Sequence, residues 1–368
     1  MPKKSDILIY DAVGSEFISK LFNNNTTSIF YSRNEFICVP CLLLSFFNRQ
    51  FWKFQFKKAY THLYIKFASP KIVITFIDTN LNYYLLKDQK INPKIISVQN
   101  GTRTYYGDIF ELLDKKTKDR TKYQVDYLIV FGEDIGKNYK KHINGSILPM
   151  GSLKNNFFLK KEKTNYNSLC FISQYNPKSI AKRLLNKNNH NVSEHWEKTD
   201  GEVLSFLKDY CIRKNKTFTI IPRFNDRRFN GEKDYYNSIL GSNLLFSKKS
   251  SIQSGYNSVD NAEVVVSINS TLAYESAARG NKTAFFSIRG ESLNISDFNF
   301  GWPGDYQGTG KFWTNKSDPK IFEKILNYLF SINDEEWKLE LDRIKFSNVM
   351  QYDSNNINFK SLIKTILE

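Results

Sequence analysis

The chain has 368 residues, long for a single core and of a length suited to two domains. A hydrophobic content of 41% with 15% aromatics excludes a disordered polymer, and no apolar run reaches the roughly 18–20 residues that a membrane-spanning helix needs. A net charge of +16 suits an anionic partner such as nucleic acid, anionic lipid headgroups or a sugar nucleotide, and a compositional bias toward Lys and Asn accounts for it equally well.

The first residues, MPKKSDILIYD, carry no signal-peptide core and run directly into a strand at 7–10, so a cytoplasmic location is expected. Asp11-Ala12-Val13-Gly14-Ser15 follows, then a helix. Cys38 and Cys41 form a C-x-x-C with no second ligand pair, and with Cys170 and Cys211 they read as buried, reduced, structural thiols. Residues 46–67 interleave aromatics with Arg49, Lys53, Lys57, Lys58 and Lys66. Two readings stand for them: a segment lying on the inner face of an anionic membrane, or a core helix whose lysines snorkel to water. Apolar strands are expected at 72–77, ending in Asp78, at 95–98, ending in Gln99-Asn100-Gly101, and at 127–131 and 147–150. Residues 153–168 are polar, basic and weakly periodic, and read as a linker. A second strand set is expected at 169–172, 218–221, 244–246, 263–267 and 283–287, and 318–368 is helical by pattern.

Continuous apolar strands alternating with helices indicate parallel sheets covered on both faces. The expected fold class is α/β, with two Rossmann-like, doubly wound domains facing a central cleft. The expected boundaries are 1–155, 156–340, and a helical segment 341–368 that returns to the first domain. Ligands of such sheets gather at the carboxyl ends of the strands. Those ends are rich in amides, hydroxyls and Arg. They hold no G-x-G-x-x-G, no phosphate-loop motif and no G-x-S-x-G elbow. The four histidines make no metal-ligand spacing, so neither a metal nor another cofactor is expected.

The stretch 264–280, VVVSINSTLAYESAARG, is the most informative. An apolar run enters a polar turn, Ser267-Ile268-Asn269-Ser270-Thr271, and a helix begins. Free first-turn amides and the helix dipole at such a start can hold an anion, although an ordinary N-cap would use the same residues.

DILIYDAVGSEFI, VITFIDTN, ISVQNGTR, PMGSLKNN, the 264–280 stretch, FGWPGDYQGTGKFWTN and DEEW, in that order, resemble a family of bacterial surface-carbohydrate or O-antigen biosynthesis proteins. The resemblance covers most of the chain. It implies a GT-B-like, metal-independent glycosyltransferase with the donor nucleotide in the second domain and the acceptor mainly in the first. Ser270 to Glu275 is similar to an S-T-L-x-x-E pattern of capsule transferases that use CMP-activated sugars. The resemblance therefore favours a CMP-ulosonate, such as Kdo or a nonulosonate, over UDP, GDP or dTDP sugars, and a glycan or lipid-linked glycan as acceptor. The His-Pro pair common in CMP-sugar transferases is missing. Ile221-Pro222-Arg223 stands at a similar place.

On this reading Ser267, Asn269, Ser270, Thr271, Gln174, Arg223 and Glu275 would hold the donor nucleotide, Arg223 as a bidentate cation and Glu275 on a ribose. The alternatives are a salt bridge from Arg223 to Asp226, local turn bonding for Asn269 and a solvated helix carboxylate for Glu275. Gly14, Ser15, Asn100, Gly101 and Arg103 would face the acceptor. Asp78, ranked ahead of Asp11, would take the acceptor's proton, against the alternative of a cap or turn residue for each. Two further functions compete: a non-catalytic carbohydrate-assembly protein, and a nucleic-acid-binding protein, for which no motif is present.

Overall fold

The computed structural model describes residues 1–22, 25–33, 35–47, 56–87, 91–116, 123–175, 192–306 and 308–368. In chain order the elements are β1 (Ile7–Tyr10), α1 (Ser15–Leu21), β2 (Thr27–Phe30), α2 (Val39–Phe46), α3 (Phe56–Ala68), β3 (Ile72–Thr75), β4 (Lys94–Val98), α4 (Ile109–Lys116), β5 (Gln124–Val130), α5 (Glu133–Lys140), β6 (Asn144–Pro149) and α6 (Leu153–Phe157). They continue with β7 (Asn165–Ile172), α7 (Val192–Arg213), β8 (Thr217–Ile221), α8 (Arg228–Leu240), α9 (Ile252–Asn261), β9 (Ala262–Ser267), α10 (Thr271–Ala278), β10 (Thr283–Phe286), α11 (Arg289–Leu293), β11 (Trp313–Thr314), α12 (Pro319–Ser331), α13 (Asp334–Arg343) and α14 (Ile357–Leu367). The chain divides into two units. The first comprises Met1–Gly101, Ile109–Phe157 and Asp353–Glu368, and the second Thr102–Asp108 and Phe158–Tyr352.

The first unit is built on a parallel sheet of order β2-β1-β3-β4-β5-β6. β1 and β3 are buried along their whole length, as a sheet covered on both faces requires. Ile7, Ile9, Ile72 and Ile74 pack with Phe17 and Leu21 of α1 on one face, and Phe359 and Ile363 of α14 complete that core. The strand order reverses between β1, which pairs with both β2 and β3, so the switch point of this sheet lies where Asp11 and the residues after Thr75 emerge.

The second unit carries a parallel sheet of order β11-β10-β9-β7-β8. Here the reversal falls between β7 and β9. An aromatic cluster backs β10 and β11: Phe300 stacks on Trp313 at 4.8 Å, and Phe312 meets the fully buried Trp337 edge-on at 4.8 Å. This gives DEEW a physical meaning. Asn333 and Glu336 form a reciprocal cap at the start of α13, each accepting the other's backbone N–H at 2.9 Å, and Trp337 then plugs the core. Gly301 has φ +72°, and a Cβ there would meet the Tyr306 ring at 2.3 Å, so the FGWPGDY turn needs glycine at this position.

Several expected elements differ. Residues 153–168 are not a plain linker: α6 occupies 153–157 and β7 begins at Asn165. The strand expected at 244–246 reduces to one bridge, Ile220 to Phe246. β2 and β11 were not expected, being four and two residues long. The 46–67 segment falls partly on 48–55, outside the described residues. Phe46 closes α2 and Phe47 follows it, and the rest is α3, which buries Ala59, Leu63 and Ile65 while Lys57 and Lys66 stay exposed.

Candidate functional site

The polar turn after β9 lies at the switch point of the second sheet. Ser267 is fully buried and its hydroxyl accepts the Ser270 N–H at 3.0 Å, which closes the turn. Ser270 stands at the N-cap of α10 with extended backbone, yet its side chain makes no cap hydrogen bond. The first amides of α10 are therefore left without a side-chain cap, the condition under which a helix start attracts an anion. Thr271 Oγ1 accepts from the Thr102 N–H at 3.0 Å, which ties the short Thr102–Asp108 segment to the helix start. Tyr105 and Tyr106 anchor that segment further, donating their N–H groups to Asp297 Oδ2 at 2.7 and 3.0 Å.

Gln174 follows β7 beside this turn. Its Oε1 accepts from the Asn269 N–H at 2.9 Å and from Arg289 Nη1 at 2.6 Å. Two donors on one oxygen fix which way the amide faces. Its Nε2 is then a donor without a partner among the described residues. Asn269 is held too, its Nδ2 donating to Phe298 O at 2.6 Å, and its buried Oδ1 has no hydrogen-bond partner among the described residues.

Arg289, just past β10, organises the floor. It is fully buried and pairs with the equally buried Asp200 of α7. Its guanidinium also lies 3.7 Å from the Trp196 ring centroid. Tyr235 OH donates to the other Asp200 oxygen at 2.9 Å. Burial lowers the Arg289 guanidinium's proton affinity, with Asp200 opposing, and burial raises the Asp200 carboxyl. The sequence reading missed both residues. Arg289 stands two positions past the expected strand 283–287, in S-I-R-G, where a cation at a strand end is a visible signal. Asp200 sits in a polar helical run, KTDGE, that resembles a solvated face.

The structure thus brings Gln174, Ser267, Asn269, Ser270 and Thr271 together. Glu275 lies one turn inside α10 and is buried rather than solvated. Arg223, at the end of β8, flanks β7 from the other side. Its Nη1 donates to Tyr175 O at 3.1 Å, while Asp226 pairs with Arg228 at 2.6 Å instead. The loop carrying Arg223 is fixed by the buried Glu232, which accepts the N–H groups of Arg223 and Phe224 at 2.7 and 3.0 Å. A cavity of about 600 Å³ is lined mainly by the segment connecting β10 to β11, among others by Asn294, Asn299, Trp302, Asp305 and Tyr306, with Lys316 past β11.

In the first unit the two candidate carboxylates tie loops together. Asp11 has φ 119°, is 1% exposed, and accepts from the Val13 N–H at 2.9 Å, Ser32 Oγ at 2.7 Å and Arg33 Nε at 3.1 Å. Asp78 is fully buried, accepts from Tyr139 OH, and takes the Asn100 N–H at 3.3 Å. Asn100 Nδ2 reaches Phe76 O at 2.7 Å, and Gln99 spans Phe131 N and Gly101 O, so the ends of β3, β4 and β5 are laced together. Gly14, φ 81°, caps α1 where a Cβ would meet Phe76 at 2.9 Å, and Ser15 Oγ donates to Ala12 O at 2.7 Å. Asn100 and Gly101 belong to the first unit and Arg103 to the second. The four cysteines are buried and unbridged, and burial pushes the Cys41 and Cys211 thiols up to about 12. Among the described residues no group of three or more His, Cys, Asp or Glu could hold a metal ion.

Residues 96–367 match the sequence profile of a family described as "putative O-antigen biosynthesis protein". The chain belongs to that family. No curated protein matches it in sequence. Among solved structures, it is similar to S. aureus MnaA with UDP, with TM-score 0.55, 10% identity and coverage of 99% of this chain and 97% of that one. The wall teichoic acid polymerase TagF follows with TM-score 0.53, 11% identity and coverage of 98% and 89%. A UDP-GlcNAc 2-epimerase from Neisseria meningitidis gives 0.51, 12%, and 98% and 90%. At such identities the likeness concerns the fold. This O-antigen biosynthesis family member has two Rossmann-like parallel-sheet domains with the GT-B fold.

Proposed function

We propose that this protein is a glycosyltransferase that moves a sugar from a nucleotide-activated donor to a surface-polysaccharide or lipopolysaccharide O-antigen acceptor. The observation that carries the reading is the uncapped start of α10 at the β7/β9 switch point, beside Gln174, whose Oε1 is taken by Asn269 and Arg289 and whose Nε2 has no partner among the described residues. Departure of a nucleotide from a sugar leaves negative charge on the phosphate, which needs fixed donors more than it needs acid. Ser270 Oγ, the first amides of α10 and Gln174 Nε2 are assigned to that phosphate, with Arg223 as the flanking cation. Glu275 is assigned to positioning the helix and the ribose edge. Asp78 and Asp11 are the carboxylates assigned to the acceptor's hydroxyl proton, and Gly14, Ser15, Asn100, Gly101 and Arg103 to the acceptor itself.

A CMP-linked ulosonate is the favoured donor, supported by the S-T-L-x-x-E run from Ser270 to Glu275. Nucleotides also occur with the structural neighbours: UDP with MnaA, UDP-GlcNAc with the epimerase and CDPG with TagF. The test is thermal stabilisation by CMP, UDP, GDP and dTDP, since a ligand of the native state raises the unfolding midpoint. Products are then weighed with the matching donor. Transfer adds the sugar's mass to an acceptor, whereas epimerisation leaves the donor's mass unchanged. Activity is expected to survive EDTA. A strict Mg²⁺ or Mn²⁺ requirement would contradict charge neutralisation by the helix start and Arg223.

A further inference from the structure

The first unit carries a helix turned inside out. α2, eight residues long, buries Cys41 and Ser45, with the buried Cys38 at its N-cap. Its solvent side is Val39, Leu43, Leu44 and Phe46, and the run is extended by Phe36 and Phe47. Phe47 is 88% exposed, Phe36 66%, Val39 58% and Leu43 56%. A surface helix ordinarily buries its Leu and Phe and shows its Ser to water. Contiguous exposed apolar side chains of this kind mark an interaction surface.

The surrounding charge selects the partner. Between Glu35 and Asp78 the sequence contains no Asp or Glu, and the described helix α3 carries Lys57, Lys58 and Lys66. Phe56, at the start of α3, packs on Phe46 with ring centroids 5.3 Å apart, and Lys57 next to it is exposed. Apolar side chains next to basic ones, with the exposed Glu35 as one acid at the edge beside Phe36, match a surface that is hydrocarbon beneath and anionic above. No described helix is long and apolar enough to cross a membrane, so contact is interfacial. We propose that the exposed face of α2 and its flanks inserts shallowly into an anionic lipid bilayer, with the neighbouring lysines on the headgroups. This assignment does not depend on the transferase reading.

The test uses the full chain and co-sedimentation with vesicles of phosphatidylcholine alone or mixed with phosphatidylglycerol. The wild type is expected to sediment with the mixed vesicles and weakly with the neutral ones, and less as salt is raised. Leu43→Glu combined with Phe47→Glu should lower the partition coefficient by roughly a hundredfold, because two apolar side chains lose their burial. Lys57→Gln should lower it by about fivefold, and only for anionic vesicles. Ile212→Glu, at an exposed position of the second unit, should leave it unchanged. These side chains are exposed, so unfolding midpoints should match and serve as the folding control. Absence of wild-type sedimentation with anionic vesicles overturns the proposal, as does equal sedimentation of the double-Glu variant. A concentration-dependent dimer that the double variant abolishes, without vesicle binding, overturns it by assigning the face to a second copy of the chain.

Discussion

Replacing Arg289 by Met should unfold the second unit earlier by an amount that its surroundings allow to be estimated. Arg289 and Asp200 are both fully buried. Removing the cation leaves Asp200 desolvated with Tyr235 as its hydrogen-bond donor among the described residues, whether the carboxyl stays charged or takes up a proton, and breaking one side of a buried pair costs about 3–5 kcal/mol. In a unit of about 200 residues each kcal/mol moves the midpoint by about 2–4 °C, so a fall of roughly 6–20 °C is expected. The exposed pair Arg213–Glu323 supplies the contrast: Arg213→Met should leave the midpoint nearly unchanged, because water already screens that pair. Urea unfolding followed by tryptophan fluorescence suits the measurement, since Trp196 stacks against Arg289 and reports its loss directly. Asp200→Asn should cost a similar amount, and the double variant much less than the sum of the two, because the residues are coupled. An unchanged midpoint for Arg289→Met, or strict additivity with Asp200→Asn, would refute the buried pair as the keystone of this site.

Ser270→Ala should weaken nucleotide binding by about 1–3 kcal/mol by calorimetry, with unchanged affinity refuting its place on the phosphate. Adding Thr271→Ala should weaken it further but also strips the acceptor from Thr102, so the single variant is the cleaner arm. Asp78→Asn or Asp11→Asn should lower turnover by about 10²–10⁴-fold with donor affinity nearly intact, and near-normal turnover in both folded variants would move the catalytic base elsewhere. Burial alone would raise the Glu340 carboxyl, but hydrogen bonds from Arg343 and Lys311 outweigh it and hold it below its ordinary value. A carboxyl lowered in the folded state contributes stability above its unfolded pKa and loses it as pH falls through the folded one. Glu340→Gln should therefore flatten the acid limb of the stability profile, below the usual Glu range, and leave its slope near neutrality unchanged.

The parallel sheets were legible because β1, β3, β9 and β10 are apolar runs ending in short polar turns, a pattern that survives without tertiary information. The donor-side turn was legible for the same reason: Val264–Val266 leads into five consecutive residues, four of them polar. What escaped was long-range. Asp200 reads as one more polar residue in a helix until Arg289 is folded against it, 89 positions away. The roles of Asp11 and Asp78 as loop ties depend on Ser32, Arg33 and Tyr139, which nothing local joins to them. β2 was hidden because TSIF is four residues beside an Asn-rich stretch. α2 misleads in the opposite sense, since VPCLLLSF looks like core and its Leu43 and Leu44 face water.

The path of the backbone has a consequence for dissection and for heredity. The chain passes from one unit to the other four times, after residues 101, 108, 157 and 352. No single cut releases an intact half: a fragment ending at 157 lacks Phe359 and Ile363, which fill its own interior. Neither unit is thus a contiguous stretch of gene. A recombination event that exchanged the sheet bearing Gln174 and Ser270 for one with another donor preference would need matched junctions at both ends of that insert. Selectivity in this architecture is therefore expected to drift by point substitution within the β7, β9 and β10 turns more readily than by wholesale module exchange.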